Sequence, residues 1–226
     1  MSQLELEIKS VREEIISMWE LTLSQVEKAL SALINFDKDL AREIINTEKR
    51  VNATELKIDR DCEDVFAIYC PVAIDLRFLL AVLKINSNLE RIGDIAEGIA
   101  KFLLSTDQSF KNELLESTKV IEMHAKSIKM MEDTLRAFQE EDTSIARSVF
   151  AKDEFLDSIN QNANELIIDY LKKYPEDIDS ALYILSIVRK LERIGDQSKN
   201  IAEEIIFFIE AKVIKHADKK SKRKKS

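Results

Sequence analysis

The chain has 226 residues, of which 45% are hydrophobic and 34% charged, a balance typical of globular proteins and too apolar for a disordered one. Three glycines and two prolines are too few for sheets or long loops, so the composition predicts an all-α protein. The net charge is −8, and residues 215–226 alone carry +6, so the acidic remainder excludes nucleic acid as an expected partner.

The first half of the chain predicts three helices. Asp37 can cap the second helix at its start, and Pro71 ends it because proline cannot continue a helix interior. The third helix ends before the polar segment 105–109, which contains the loop residues Ser, Thr, Asp and Gln. The expected helices cover residues 3–35, 38–69 and 73–104.

The second half repeats the first. LERIGD at 89–94 recurs letter for letter at 191–196, an offset of 102 residues, and Pro175 precedes the second copy as Pro71 precedes the first. The repeat predicts three more helices, over residues 109–139, 143–173 and 177–214. The predicted architecture is two tandem antiparallel three-helix bundles, either end to end or side by side. The predicted domains are residues 1–105 and 109–214, followed by a disordered basic tail at 215–226.

Two apolar stripes, the second with one serine, give the expected core faces. In the third helix of each half, the residues of the stripe follow one another at alternating intervals of three and four positions. This spacing is typical of a helix that lies nearly parallel to its neighbours. The first stripe consists of Val82, Ile85, Leu89, Ile92, Ala96, Ile99 and Leu103. The second consists of Ile184, Ile187, Leu191, Ile194, Ser198, Ile201, Ile205 and Phe208.

Each copy of the hexamer places two acids on one helix face with a glycine between them. The pairs are Glu90 with Asp94 and Glu192 with Asp196. Like charges four residues apart destabilise a helix, and an interior glycine costs about 1 kcal/mol relative to alanine. The glycine allows a neighbouring helix to approach, and acids facing acids across a bundle are how helical proteins bind hard cations.

The second helix of each half is expected to supply the facing ligands. Asp153 and Asp157 lie four apart in the second half, and the corresponding turn of the first half holds Glu48 and Asn52, with Glu55 a turn later. Oxygen ligands favour Mg²⁺, Mn²⁺, Ca²⁺ or iron over zinc. The predicted metal ligands are Glu48, Asn52, Glu90, Asp94, Asp153, Asp157, Glu192 and Asp196.

An alternative remains open for the same acids. They can form ion pairs with Arg91, Arg193 or lysines across the bundle, because charge runs are usually solvated faces. The two histidines, His124 and His216, are not near an acidic pair in the sequence, and we expect His124 at a surface or an interface.

Several function classes are disfavoured by what the sequence lacks. The sequence contains no run of about 18 apolar residues, the length needed to span a membrane, and its N-terminus has no secretion-signal pattern. Cys62 and Cys70 would lie about 12 Å apart along one helix, too far for a disulfide, so we expect two buried thiols and a cytoplasmic location. No glycine-rich phosphate loop or nucleophile–histidine motif is present, so we do not expect an enzyme.

Two regions resemble the PhoU family. PVAIDLRF at 71–78, LKI at 83–85 and LERIGD at 89–94 are similar to the signature of that family. The second LERIGD and NIAE at 200–203 are similar to its second repeat. The resemblance covers nearly the whole chain and implies two three-helix bundles.

The resemblance also implies a function. PhoU proteins are cytoplasmic, non-enzymatic accessory proteins of the high-affinity phosphate ABC transporter and its two-component histidine kinase. They restrain phosphate uptake and hold off the starvation response when phosphate is plentiful. The implied partners are the transporter ATPase, the kinase and a second copy of the chain, and no membrane insertion is implied.

The family's metal-binding motifs fall on the same acids. They map onto Glu90/Asp94, Asp153/Asp157 and Glu192/Asp196, and Glu48/Asn52 departs from the pattern because an amide adds no charge. The implied cofactor is a divalent or ferric ion such as iron, manganese or magnesium. Two rival readings stay open: a metal-storing or di-metal carboxylate bundle, and a structural partner protein whose acids form salt bridges.

Overall fold

The computed structural model describes residues 2–214, and within that range all regular structure is helical. Seven α-helices and one 3₁₀ turn follow in chain order. They are α1 Gln3–Asn35, α2 Lys38–Tyr69, α3 Ala73–Ser105, α4 Asn112–Ser117, α5 Val120–Glu140, α6 Thr143–Lys173, the 3₁₀ turn Pro175–Asp177 and α7 Ile178–Glu210. The all-α prediction is confirmed, whereas the predicted basic tail and His216 lie outside the described residues.

The ends of the first helices follow the signals in the sequence. Asp37 caps α2, since its carboxylate accepts hydrogen bonds from the backbone N–H groups of Asp39 and Leu40, both at 2.9 Å. α2 then ends at Tyr69, two residues before Pro71. The predicted bounds of the first two helices are confirmed.

The single helix predicted over 109–139 is wrong, because the chain forms two helices there. Lys119 adopts a left-handed backbone with φ of 53° between α4 and α5. The Thr118 hydroxyl donates to the carbonyl of Leu114 at 2.7 Å, and Leu114 itself is buried. No glycine or proline marks this break, so the sequence carried no signal for it. The last helix also ends earlier than predicted, at Glu210.

The two bundles lie side by side, which decides between the two arrangements that the sequence left open. α1, α2 and α3 form the first bundle and α5, α6 and α7 the second, with α3 packed on α7 and α1 on α5. α3 and α7 are antiparallel. At one end Arg77 Nε donates to the carbonyl of Phe208 at 3.4 Å, and at the other the rings of Phe102 and Tyr183 lie 5.7 Å apart.

One continuous apolar core runs through both bundles. Every residue of the two predicted stripes is buried, which confirms the predicted core faces. Trp19, Phe78, Phe138 and Phe208 form an aromatic cluster between the bundles, with ring centroids 5.6 to 6.0 Å apart. The shared core places α3 and α7, which carry the repeated hexamer, side by side in the middle of the molecule.

The two cysteines differ in their surroundings. Both are free thiols, but Cys62 is buried and Cys70 is exposed at the end of α2, so the expectation of two buried thiols is wrong for Cys70. Burial raises the pKa of the Cys62 thiol to about 12. Of the helices within residues 2–214, none combines the length and the apolar character that crossing a bilayer requires.

Candidate functional site: two acidic clusters

The predicted acids form two clusters, one on each bundle. The first acidic cluster lies where α2 faces α3 and contains Glu48, Glu55, Glu90, Asp94 and Glu97. The second acidic cluster lies where α6 faces α7 and contains Asp153, Asp157, Glu192 and Asp196. Both clusters therefore join the repeated hexamer to the neighbouring helix of the same bundle.

Glu48 is the buried centre of the first acidic cluster. Its side chain lies against Gly93, where a Cβ atom would come within 2.8 Å of Glu48 Oε2. Gln25 Nε2 on α1 donates to the same Oε2 at 3.0 Å and to the carbonyl of Ile44 at 3.3 Å. Within the described part of the chain, Glu48 Oε1 and Gln25 Oε1 have no hydrogen-bond partner. Gly93 thus makes room for a carboxyl that is only half satisfied.

The electrostatics of the first cluster favour a neutral carboxyl at Glu48. Burial raises the pKa of Glu48 from 4.5 to about 7, and the charges of Asp94, Glu97 and Glu90 add to this rise, while the hydrogen bond from Gln25 opposes it. Burial also raises the pKa of Glu90, with a further contribution from Asp94. Of the acids in the first acidic cluster, only Glu97 forms an ion pair within residues 2–214, with Lys101.

The second acidic cluster contains its own cation. Asp153 is 1% exposed, and its Oδ2 accepts a hydrogen bond from Lys199 Nζ at 2.6 Å. A Cβ atom at Gly195 would lie 3.2 Å from Asp153 Oδ1, so this glycine too allows a close approach of the carboxyl. Asp153 Oδ1 has no hydrogen-bond partner among residues 2–214. Lys199 and Asp153 form a largely buried ion pair.

The pKa values of both partners of this ion pair are raised, and for Asp153 the effect of burial outweighs the lowering by the Lys199 ammonium. Burial lowers the pKa of Lys199, but the Asp153 carboxylate outweighs it and raises the pKa overall. Burial raises the pKa of Glu192, with further contributions from Asp196 and Asp157. The second cluster therefore keeps a fixed ammonium beside its most buried acid.

The salt-bridge alternative holds for one lysine and not for the arginines. Lys199 pairs with Asp153 across the bundle, whereas Arg91 and Arg193 form no hydrogen bond or ion pair within the described range. In residues 2–214 no three histidine, cysteine or carboxylate side chains converge closely enough to hold a metal ion as they stand. Asn52 is exposed on α2.

His124 is not the surface or interface residue that the sequence suggested. It is fully buried on α5, and within residues 2–214 neither ring nitrogen has a hydrogen-bond partner. Burial lowers the pKa of its imidazole to about 4, so the ring is neutral at physiological pH. The apolar surroundings of α5, rather than any charge pattern, decide its place.

Sequence reasoning missed three residues of the clusters: Gln25, Glu97 and Lys199. Gln25 lies on α1, far from the hexamer in sequence, and no local pattern marks it. Glu97 and Lys199 occupy the same position of the two repeats, three residues after the hexamer and 102 residues apart. Extending the alignment of the repeats by one helical turn would have shown this change of charge.

Comparisons with known proteins show which family the chain resembles. A family model described as PhoU domain matches residues 15–103 and 120–205. The phosphate-specific transport system accessory protein PhoU of Edwardsiella tarda is 32% identical over 214 residues, which cover 95% of this chain and 87% of that protein. The protein of the same name from Escherichia coli (strain K12) is 31% identical, with 95% and 88% covered.

Solved structures match over the same range. The crystal structure of PhoU from Pseudomonas aeruginosa superposes with a TM-score of 0.86 at 31% identity, covering 93% of this chain and 100% of that one. The crystal structure of the phosphate transport system regulatory protein PhoU from Streptococcus pneumoniae gives a TM-score of 0.82 at 31% identity, with 93% and 99% covered.

Proposed function

The chain belongs to the PhoU family, and from this membership we propose that it is a regulatory accessory protein of a phosphate transport system. The observation that carries the proposal is the match of both halves to the family, together with relatives of that name that are over 30% identical across nearly the whole chain. The two bundles share one apolar core.

The finer proposal concerns what is regulated. The protein restrains phosphate uptake and holds off the phosphate-starvation two-component response when phosphate is plentiful. It does so in the cytoplasm without catalysis, by binding the ATPase of the phosphate transporter and the phosphate-sensing histidine kinase, and it acts as a homodimer. An adaptor of this kind must bind the states of its partners with different affinities, since equal affinity would shift nothing.

Phosphate uptake in cells tests this function. A strain lacking the protein is expected to import phosphate and to express a starvation reporter even in phosphate-rich medium, and the wild-type chain should restore both to low levels. Unchanged uptake and reporter expression in the deleted strain would contradict the proposal. Copurification with the transporter ATPase and with the histidine kinase tests the two partners separately.

We also propose that a hard cation binds the first acidic cluster more tightly than the second. Glu48, Glu90 and Asp94 offer the oxygen atoms that iron, manganese and magnesium prefer, and the buried Glu48 Oε1 has no partner in the described structure. These groups would hold the ion after side-chain rotation, and the ion would supply positive charge. In the second cluster, Lys199 already supplies positive charge to Asp153.

Elemental mass spectrometry of purified protein loaded with Mn²⁺ or Fe²⁺ tests the metal proposal. The double variant Glu90→Gln, Asp94→Asn is expected to lose most of the bound metal. The matched variant Glu192→Gln, Asp196→Asn should keep most of it. Equal losses in both variants, or no metal in the wild-type protein, would rule out the proposed difference. Redox turnover or uptake of many iron ions per chain would instead favour the metal-storing or di-metal alternative.

A further inference from the structure

A charged cleft lies between α3 and α7, where the two bundles meet. We call it the central cleft; its volume is about 310 Å³. Six charged side chains line it: Arg91, Asp94, Glu97, Lys101, Lys190 and Arg193. Four cations against two carboxylates give a local charge of +2, whereas residues 1–214 together carry −14. The central cleft is thus a positive site within an acidic protein.

The acids that line the cleft do not neutralise its four cations, although outside the lining Arg91 lies near Glu90 and Arg193 lies near Glu192 and Asp196. Glu97 pairs with Lys101 at 2.5 Å along α3, which leaves Asp94 against three cations. Within residues 2–214, Arg91 and Arg193 have no ion pair or hydrogen bond.

Lys190 faces the same excess of positive charge. Burial lowers the pKa of Lys190, and the charges of Arg193 and Lys101 lower it further, against the opposing effect of Asp94 and Glu97. Its ammonium lies over the ring of Phe102 at 5.3 Å from the centroid. An anion in the cleft would relieve the repulsion among these cations.

Gly98 gives Lys190 its position in the cleft. A Cβ atom at Gly98 would collide with Lys190 Nζ and lie 3.1 Å from its Cε, so the lysine crosses α3 where the helix has no side chain. The glycine costs α3 about 1 kcal/mol relative to alanine. The close approach holds the ammonium of α7 against the backbone of α3.

The internal repeat does not place the same residues at the positions equivalent to those of the cleft. Arg91 and Arg193 are equivalent residues, but the position equivalent to Lys190 is Asn88 and the position equivalent to Gly98 is Asn200. The contact between Lys190 and Gly98 is therefore specific to one side of the α3–α7 interface. It arises from the divergence of the two repeats and not from their symmetry.

We propose that the central cleft binds the hydrogenphosphate dianion. The guanidinium groups of Arg91 and Arg193 and the ammonium of Lys190 supply the charge and the donors, since arginine forks match the geometry of phosphate oxygens. In the metal-free chain, Asp94 accepts the proton that hydrogenphosphate retains at neutral pH. Sulfate carries no such proton, so its oxygens face an unpaired carboxylate and it binds more weakly.

The binding claim rests on the charges and geometry of the cleft. Its use as a signal rests on the proposed function: an occupied cleft would report phosphate to the regulator directly, at the contact between the two bundles. The two claims fail separately. If the chain restores phosphate control in cells but does not bind phosphate in solution, the proposed site is wrong and the proposed regulatory function still stands.

Isothermal titration calorimetry of the full chain with inorganic phosphate tests the site. The protein is first treated with a chelator, so that phosphate cannot bind through a metal ion. Lys190→Met and Arg193→Gln are each expected to weaken binding about tenfold, the loss typical of a charge-assisted hydrogen bond. The matched control is Arg189→Gln on the same helix, whose guanidinium contacts Asn164 on α6 at 3.4 Å, and it should change affinity less than about twofold.

Further variants test the geometry and the selectivity. Gly98→Ala displaces the Lys190 ammonium without changing charge and is expected to weaken phosphate binding severalfold while circular dichroism shows an unchanged helical content. Asp94→Asn should bring the affinities for sulfate and phosphate together. Absence of phosphate binding, or equal binding by the Lys190 and Arg189 variants, would overturn the proposal. Tighter binding of methyl phosphate would assign the cleft to an esterified phosphoryl group and would overturn the assignment to the free anion.

Discussion

The two acidic clusters come from the same repeated hexamer but satisfy their buried carboxyl groups in different ways. In the first cluster, Glu48 receives a neutral hydrogen bond from Gln25. In the second, Asp153 receives a charged one from Lys199, whose equivalent in the first repeat is Glu97. The exchange of Glu97 for Lys199 therefore gives the second cluster an ammonium beside its buried carboxyl group, which the first cluster lacks at Glu48.

The difference teaches how two copies of a motif can come to respond to different signals. A buried carboxylate is costly unless it is paired, and a group without a partner shifts its pKa toward the neutral form. Glu48 is a buried carboxyl without a charged partner, and its pKa is raised to about 7. The first cluster should therefore respond to protons and to added cations. In the second cluster burial also raises the pKa values of Asp153, Glu192 and Asp196, but the ammonium of Lys199 opposes this rise at Asp153 and Asp196.

The largest expected effect is the loss of the buried ion pair. Lys199→Met leaves Asp153 buried without a charge partner and is expected to lower the free energy of unfolding by about 3 kcal/mol, allowing for the partial exposure of the lysine. Urea denaturation at pH 7.5 measures it. Adding Asp153→Asn to this variant should recover most of the loss, because the amide is neutral. A loss below about 0.5 kcal/mol would show that the pair is not structurally important.

The next effect belongs to the first cluster and depends on pH. Since the pKa of Glu48 rises from 4.5 to about 7 on folding, the folded chain holds a proton that the unfolded chain releases, and stability falls as the pH rises through this window. Glu48→Gln removes the penalty. We expect it to raise the free energy of unfolding by about 2 kcal/mol at pH 8 and to change it little at pH 4.5.

Denaturant titrations at pH 4.5 and 8 check this pH dependence. The exposed Glu20→Gln on the neighbouring helix α1 serves as a control and should show the same stability difference at both values. If Glu48→Gln were equally stabilising or destabilising at both, the carboxyl of Glu48 would not titrate on folding, and the contrast between the clusters would be lost.

The smallest effect compares the two glycines of the hexamers. Gly93→Ala brings a Cβ atom within 2.8 Å of Glu48 Oε2, so the buried carboxyl must move and its bond to Gln25 is strained. A Cβ atom at Gly195 would lie 3.2 Å from its nearest neighbour, Asp153 Oδ1, so this carboxyl group has to move less. Alanine gains about 1 kcal/mol of helix propensity at either site.

We therefore expect Gly93→Ala to destabilise the protein by about 1 kcal/mol and Gly195→Ala to leave its stability nearly unchanged. Thermal and urea denaturation of the two variants side by side measure the difference. Equal changes in stability for the two variants would mean that both carboxyl groups move aside equally easily, which would contradict the expectation from the distances.

Much of the fold could be predicted from the sequence because its signals are local or periodic. The cap at Asp37, the stop at Pro71 and the three-four stripes depend only on neighbouring residues, and the structure agrees with each of them. The break at Lys119 could not be predicted, since neither glycine nor proline marks it. The burial of His124 could not either, because burial depends on which helices surround a residue.

For the candidate site, the sequence by itself determined which acids share a helix face, because the spacing of four residues and the exact repeat are properties of the chain. Only the tertiary structure decided how those acids are compensated. Gln25 reaches Glu48 from a distant helix, Lys199 reaches Asp153 across the bundle, and the central cleft forms where α3 meets α7. These contacts join residues far apart in the chain, so they depend on how the helices pack, which no local pattern encodes.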